Sequence, residues 1–138
     1  MPVVYSDPLK TARLQDMSDL TNSKTIVAAS GAGSTGKLVI GTSALSGATG
    51  VLATIVIPNP AFVVSGTGTV IATLQGVPLS VAASGSGTAA KAEIRNNADA
   101  VVTSGLTVGL SASDIILNSL SITAPQTVTV TSGVITHG

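Results

Sequence analysis

The stretch GLTVGLSASDIILNSLSITAPQTVTVTSGVITHG, from Gly105 to Gly138, decides the fold of this chain. It consists of short runs of β-branched residues separated by small polar residues, and Thr127 to Thr131 alternates polar and apolar residues. A period of two is typical of a β-strand with one buried face. Such a strand needs a second layer over its apolar face, so we predict that the rest of the chain forms strands that supply this layer.

The composition of the chain indicates a folded protein with few charges. Of 138 residues, 9% are charged, 44% are hydrophobic and 1% are aromatic, whereas ordinary domains are about 25% charged. Disordered chains are rich in charge and poor in aliphatic residues, so the composition excludes disorder. We expect a single compact domain, because a chain of this length can bury roughly two thirds of its unfolded surface.

The charge balance bears on possible partners. Six basic and six acidic side chains give a formal net charge of zero, so we expect neither nucleic acid nor a membrane as a partner. Tyr5 and Phe62 are the two aromatic residues, too few for stacking on single-stranded nucleic acid. A neutral surface lacks the repulsion that keeps proteins apart, which favours packing against further copies or a larger assembly. The alternative is an uncharged soluble domain.

No segment is predicted to cross a membrane or to direct export. The longest apolar run, Val51 to Ile57, ends at Pro58 and is much shorter than the roughly 18 residues that a membrane helix needs. The segment Met1 to Lys10 lacks a basic region followed by an apolar one, so we expect no signal peptide. Cysteine is absent, which excludes disulfides and thiolate metal ligands.

Residues 1–22 are predicted to form an arm and a helix that precede a β-domain of residues 23–138. Asp7 and Pro8 are typical of an N-cap followed by proline, and we expect a helix from about Pro8 to Leu20. One side of this helix carries Leu9, Ala12, Met17 and Leu20 with Arg13 and Asp16 among them, and the opposite side carries Thr11, Gln15 and Ser18. The imperfect apolar side favours a helix that lies outside a sandwich or against a neighbouring subunit.

Short strands separated by turn signals predict an all-β fold, an antiparallel β-sandwich of jelly-roll type. The predicted strands are residues 37–41, 51–57, 62–64, 69–74, 88–95, 100–108, 115–117, 120–122 and 127–136. The segment Thr25 to Ala29 is either a strand or part of a loop, and Thr42 to Gly50 is predicted to be a loop.

Two of these strands have informative patterns. Val51 to Ile57 is apolar almost throughout, which indicates burial on both faces, or one face in the core and the other in an interface. The strand that ends at Arg95 places Lys91, Glu93 and Arg95 on one face. We expect that face to be solvated, where ion pairs contribute little stability.

The segment Gly31 to Lys37, GAGSTGK, matches the spacing of glycine-rich phosphate-binding loops. Such loops hold phosphate at the start of a helix. Here the next residues, Leu38 to Gly41, predict a strand, and Leu38 stands where Ser or Thr would bind magnesium. We therefore predict a flexible surface loop.

The sequence does not assemble a catalytic or metal site. The single histidine, His137, lies beside the last residue, and the six carboxylates are scattered. A metal site needs several ligands within reach, and a catalytic triad needs a histidine that is held in place. We predict that the chain is not an enzyme and has no cofactor. Asp99 and Asp114 lie in predicted turns, where bonds to local backbone N–H groups account for them.

Five segments carry a resemblance to a known family. They are Val4–Leu14, Gly105–Gly109, Ser113–Asn118, Ser121–Thr123 and Gln126–Val130. Together they resemble small structural proteins of tailed bacteriophage virions, most closely near the two ends of the chain. The resemblance implies a capsid decoration or cement protein with a jelly-roll-like sandwich, located on the capsid surface.

Composition and resemblance together suggest a function in adhesion. We hypothesise that many copies, as homotrimers, bind and bridge neighbouring major capsid proteins. The predicted contact residues are those of the arm and one helix side, namely Pro2, Val3, Val4, Tyr5, Leu9, Met17 and Leu20. One alternative is a tail or head-fibre component with glycan binding, and another is a phosphate-binding enzyme.

Overall fold

The structure is a computed structural model and describes residues 6–22 and 34–137. The predicted arm, Pro2 to Tyr5, lies outside these residues. So do Thr25 to Ala29, which were predicted as strand or loop, and the first three residues of the glycine-rich motif, Gly31 to Gly33.

The described chain is mostly β and contains one helix. The helix, α1, spans Asp7–Thr21. The strands are β1 Gly36–Ser46, β2 Thr49–Ile57, β3 Phe62–Ser65, β4 Val70–Leu74, β5 Leu79–Ala82, β6 Gly87–Thr88, β7 Lys91–Arg95, β8 Val101–Gly109, β9 Ile115–Leu117, β10 Ser121–Ile122 and β11 Thr127–His137. The predicted helix is present, and each predicted strand within the described residues overlaps with an observed strand. The predicted strand 88–95 is divided between β6 and β7, and β5 was not predicted.

The strands form one large sheet and one small sheet. The order in the large sheet is β2-β1-β7-β8-β9-β11-β4-β3, with β5 also paired to β11, and β10 pairs with β6 separately. All pairs are antiparallel except β8 and β9, where Val108 lies opposite Ile115 in a parallel arrangement. The sheet is therefore mixed, and the prediction of a purely antiparallel sheet is wrong.

The loop between β8 and β9 explains the parallel pair. Asp114 Oδ2 accepts hydrogen bonds from the Thr107 N–H at 3.0 Å and from the Thr107 hydroxyl at 3.1 Å. These bonds return the chain to the side of Thr107, so that Ile115 continues beside Val108 in the same direction. The predicted local role of Asp114 is confirmed, but its loop does not reverse the chain.

The long strand β11 links two parts of a curled sheet. Its first residues pair with β5, Val128 opposite Val81, and its last residues pair with β4, Ile135 opposite Ala72. The segment after β5 then reaches the far end of the sheet, where the Ser84 N–H donates to the Leu52 carbonyl at 2.8 Å. The sheet therefore curls over its own apolar face.

The space inside this curl is filled by side chains from distant strands. The largest fully buried ones are Phe62, Leu38, Ile40, Leu52, Ile57, Leu74, Ile94, Ile115, Val70, Val128 and Val130. Burial of one such side chain contributes about 1.5–3 kcal/mol. Because these residues come from most of the chain, the strands depend on one another for stability.

The hairpin of β1 and β2 is longer than predicted. The predicted loop from Thr42 to Gly50 instead contains the end of β1, a turn and the start of β2, with Ser46 opposite Thr49. Gly47 has φ +56° in this turn, a conformation that tight hairpin turns need and that glycine adopts without strain. The small residues that suggested a loop therefore form an extended hairpin tip.

Helix α1 begins one residue earlier than predicted. Ser6 is extended and its hydroxyl lies 3.4 Å from the Leu9 N–H, so Ser6 is the N-cap and Asp7 is the first helical residue. The buried side of the helix carries Lys10, Leu14 and Ser18. The side opposite Leu9 and Leu20, on which the sequence placed Ser18, is therefore the one that docks, and it docks partly through polar groups.

Candidate interaction surfaces

Helix α1 lies along the outer edge of β3, one end of the large sheet. Near the C-terminal end of the helix, Ser18 Oγ accepts from the Phe62 N–H at 3.2 Å, and Asn22 Oδ1 accepts from the Ala61 N–H at 3.0 Å. At the other end of the helix, Asp7 Oδ2 accepts from the Gly68 N–H at 3.0 Å. Exposed strand edges invite unwanted pairing, and here side chains of the helix occupy the edge groups.

The predicted contact residues of the helix separate into two groups. Leu9 and Leu20 are 42% and 40% exposed. They are eleven positions apart, which places them on the same stripe of an α-helix, roughly 16 Å from one another. Met17 is half-buried and packs against the core. The structure therefore brings two of the three helix residues together on one outward stripe.

The opposite end of the sheet is β2, whose pairing with β1 is irregular at Leu52. The Leu52 carbonyl points away from β1, because it accepts from the Ser84 and Gly85 N–H groups at 2.8 and 3.2 Å. Leu52 has no direct partner on β1, because Ala53 lies opposite Ile40 and Val51 lies opposite Gly41, with a shift of register between them.

Beside the segment that bonds to Leu52, strand β5 lies close to β2. Within residues 6–22 and 34–137, β1 is the one strand that pairs with β2. The segment from Ala53 to Ile57 contains no charged residue and no proline. Thr54 is exposed and Val56 is 60% exposed, whereas Ile55 is 3% exposed. Burial on both faces, one of the two patterns predicted for this strand, is therefore wrong for Ala53 to Ile57. One face lies in the core, as the other pattern predicted.

A nearly buried ion pair lies on the outer face of β7. Arg95 Nη2 lies 2.9 Å from Glu93 Oε2, and the two side chains are 10% and 12% exposed. Arg95 Nη2 also donates to the Gly47 carbonyl at 2.8 Å. The prediction of a solvated face is correct for Lys91, which is exposed, and wrong for Glu93 and Arg95. The reason is that the long β1–β2 hairpin brings its tip over β7.

A second ion pair lies beside the first. Lys37 Nζ donates to Asp99 Oδ1 at 2.9 Å, and the Asp99 side chain is 60% exposed. This hydrogen bond from Lys37 lowers the pKa of Asp99 below its ordinary value. The predicted role of Asp99, a bond to local backbone, is instead performed by Asn96, whose Oδ1 accepts from the Ala98 N–H at 2.9 Å.

These charged residues border an open cleft of about 550 Å³. Its lining comprises Gly47, Ala48, Val51, Thr54, Arg95, Asp99 and Val101. Arg95 is paired with Glu93, and Asp99 is paired with Lys37. The cleft therefore offers apolar walls and paired charges, which suits contact with another surface better than chemistry on a small molecule.

The motifs that suggested chemistry have different surroundings in the structure. Gly36 and Lys37, the last two residues of the glycine-rich motif, belong to strand β1 and Gly36 is buried, so the prediction of a surface loop is wrong for these two residues. The motif leads into a strand as predicted, whereas phosphate-binding loops precede a helix. The backbone of His137 belongs to β11 and lies opposite Val70. Among the described residues, no group of three or more His, Asp or Glu side chains is placed to hold a metal ion.

Comparisons with known proteins were made at the level of families, sequences and structures. No family model matches the chain, and neither a curated protein nor a solved structure matches it. In the part of the chain that the structure describes, no helix is long and apolar enough to cross a membrane.

Sequence reasoning did not identify the edge of β2 as a separate surface. The absence of charge from Val51 to Ile57 was visible and suggested an interface. The position of the strand at the end of the sheet was not visible, because it depends on which strands pair.

Proposed function

We propose that this chain is a structural protein of a tailed-bacteriophage virion, a capsid decoration or cement protein that binds and bridges neighbouring major capsid proteins. It acts by adhesion at the capsid surface and not by catalysis. The resemblance of its terminal segments to such proteins supports this function. The structural observation that carries the proposal is the outward stripe of α1, with Leu9 and Leu20 both about two-fifths exposed.

The outward stripe is suited to binding because the helix behind it is held at both ends. Ser18 and Asp7 bond to the β3–β4 hairpin, so the two leucines are presented by a positioned element. A positioned surface loses less entropy on binding than a mobile one. Arg13 and Asp16 lie between the leucines on this stripe and can supply polar contacts around them.

The energy of one such contact is small. Covering the exposed part of each leucine would contribute roughly 1–2 kcal/mol at about 25 cal/mol per Å². Binding becomes strong when many copies occupy a repeating lattice, because each bound site raises the effective concentration of the next. Contacts between copies, expected as a homotrimer, are part of this proposal.

The proposal includes a jelly-roll-like sandwich, an architecture that is common among viral capsid proteins. The curled sheet with an apolar interior supports this assignment. The parallel pair of β8 and β9 is a departure from it.

The first test is the location of the chain in purified phage particles, by mass spectrometry and cryo-electron microscopy. We expect many copies on the outside of the head, at junctions between major capsid proteins. A position in the tail or a fibre would contradict the proposal and favour the fibre alternative.

The second test is rebinding to heads from which the protein has been removed. We expect the double variant Leu9→Ser and Leu20→Ser to bind at least about tenfold more weakly. Leu110→Ser is the matched control, because Leu110 is 59% exposed and lies outside the helix. Equal binding by the double variant and the control would show that the stripe is not the contact.

A further inference from the structure

We propose that the arm of a neighbouring copy, Pro2 to Tyr5, docks in the open cleft between the tip of the β1–β2 hairpin and the start of β8. This inference deepens the proposed function, on which it rests for the expectation that copies associate. The contact would form in solution without a capsid, so its failure and a failure to bind capsids can be told apart.

The first argument is the shape of the cleft, which the hairpin tip creates. The tip is held over the outer face of β7, because the Gly47 carbonyl accepts a hydrogen bond from Arg95 at 2.8 Å. Ala48, Val51 and Val101 supply apolar walls, and Val101 is 52% exposed. At about 550 Å³, the cleft has the size of sites that hold a small ligand. It can therefore accept several small apolar side chains from another segment.

The second argument is the charge of the cleft and of its occupant. Arg95 is already paired with Glu93. Asp99 is already paired with Lys37. A charged occupant would find no free countercharge in these two pairs, and an unpaired charge that loses its water is costly. The arm, Pro2 to Tyr5, has no charged side chain, so it is a better occupant than a charged segment of another protein.

The third argument is distance, which assigns the arm to a neighbouring copy. The arm joins Ser6 at the start of α1, whereas Arg95, which lines the cleft, lies at the other end of the helix. There a Cβ on Gly36 would lie 2.4 Å from Thr21 Cγ2 and 3.0 Å from the Arg95 carbonyl oxygen. The 15 residues of α1 span about 22 Å, and the four residues of the arm reach at most about 14 Å from Ser6. The arm is therefore too short to enter the cleft of its own chain.

The symmetry of the contact agrees with the expected oligomer. The contact joins two different surfaces, the arm of one copy and the cleft of the next. Such a heterologous contact forms a ring when the rotation between copies closes. A ring of three copies is the homotrimer that the proposed function expects. The outward stripe of α1 is not used in this contact and stays available to the capsid.

The first experiment uses Tyr5 as a probe of its own surroundings. The chain contains one tyrosine and no tryptophan, so its tyrosine fluorescence reports on the arm alone. We expect quenching by acrylamide to decrease as the protein associates, and we expect this decrease to be lost in Val101→Ser. Equal quenching of Tyr5 in the monomer and in the oligomer would overturn the proposal.

The second experiment measures the association constant of the full chain by analytical ultracentrifugation. We expect Tyr5→Ser and Val101→Ser each to weaken association at least about tenfold. The double variant should lose less than the product of the two single losses, because the two residues share one contact. Val63→Ser is the matched control and should associate like the parent protein, because Val63 is 49% exposed on β3 and does not line the cleft.

Two results of this measurement would contradict the proposal. One is a protein that stays monomeric at millimolar concentration, which would leave the cleft to residues 23–33 of the same chain or to another protein. The other is an equal effect of Val101→Ser and Val63→Ser, which would show that association does not depend on the cleft.

The third experiment identifies the chain that supplies the arm. Cysteine is absent from the chain, so the double variant Tyr5→Cys and Ala48→Cys can be oxidised without competing thiols. We expect covalent oligomers up to a trimer, because each arm meets the cleft of the next copy. A disulfide within single chains, or no disulfide at all, would overturn the assignment to a neighbouring copy. Capsids are absent from all three experiments, so their results do not depend on capsid binding.

Discussion

The Ser18 hydroxyl of α1 accepts a hydrogen bond from the Phe62 N–H at 3.2 Å and lies 3.5 Å from the Phe62 carbonyl oxygen. One serine therefore meets both outward backbone groups of an edge residue in β3. The side of the helix that docks on the sheet is therefore partly polar, with Lys10 and Ser18 buried beside Leu14.

Removal of the Ser18 hydroxyl should destabilise the protein. Ser18 is 1% exposed, so Ser18→Ala would leave the Phe62 N–H without its acceptor in a buried place. Such a loss costs about 1–3 kcal/mol, which urea denaturation can measure. Thr11→Ala, on the exposed side of the same helix, is the control and should not lower stability. If both variants unfolded at the same urea concentration as the parent protein, the Ser18 contact would not be stabilising.

The ion pair of Glu93 and Arg95 should contribute more to stability than its strand pattern suggests. Glu93→Gln leaves the Arg95 guanidinium nearly buried without its countercharge, and we expect a loss of roughly 3 kcal/mol in the free energy of unfolding. Lys91→Gln is the control, since Lys91 belongs to the same strand and is exposed; it should change stability by less than about 0.5 kcal/mol. Equal effects from the two variants would mean that the pair is solvated after all.

The ion pair of Lys37 and Asp99 should affect the pKa of Asp99 and the stability of the protein at acid pH. The pKa of Asp99 is lower in the folded protein than in the unfolded chain because Lys37 donates a hydrogen bond to it. Its stabilising contribution is therefore present above the unfolded pKa of about 3.9, and is lost as pH falls through the folded pKa. NMR titration of the Asp99 carboxyl should show its pKa rise toward the ordinary value in Lys37→Met. An unchanged titration curve would contradict the contact.

The first residue of β1 should not tolerate a side chain. A Cβ on Gly36 would lie 2.4 Å from Thr21 Cγ2 and 2.7 Å from the Thr21 carbonyl oxygen. We expect Gly36→Ala to destabilise by about 1–3 kcal/mol, as overpacking does. Adding Thr21→Ser should recover part of this loss, because it removes the methyl group but leaves the carbonyl. Thermal unfolding of the parent protein, the single variant and the double variant measures this recovery, and its absence would show that the Thr21 methyl group is not what the new side chain meets.

Predictions from the sequence were most accurate where the signal was local. The hairpin of β3 and β4 and the alternating strand β11 were expected from turn residues and from the period of two. The prediction failed between β8 and β9, where Asp114 bonds back to Thr107 and sets a parallel register. It also failed for the charged face of β7, which the tip of another hairpin covers.

For the candidate surfaces too, local features could be predicted from the sequence and features that depend on distant contacts could not. Leu9 and Leu20 could be placed on one helix stripe from their spacing, since a helix has a fixed number of residues per turn. The exposure of these two leucines could not be predicted, because it depends on which side of the helix docks, and the docking side is the one that carries Ser18. For Thr54 and Val56, the sequence showed an uncharged strand but not that these two side chains are exposed while Ile55 between them is buried.

The sequence by itself determined that this chain folds, that it folds mainly as strands behind one helix, and that it carries little charge. These properties follow from composition and from periods of two and 3.6 residues, which are local. Only the tertiary structure decided that β2 and β3 end the sheet, that α1 covers one of these ends, and that Glu93 and Arg95 are nearly buried. These outcomes depend on contacts between residues far apart in the chain, and no local pattern encodes which strand lies next to which.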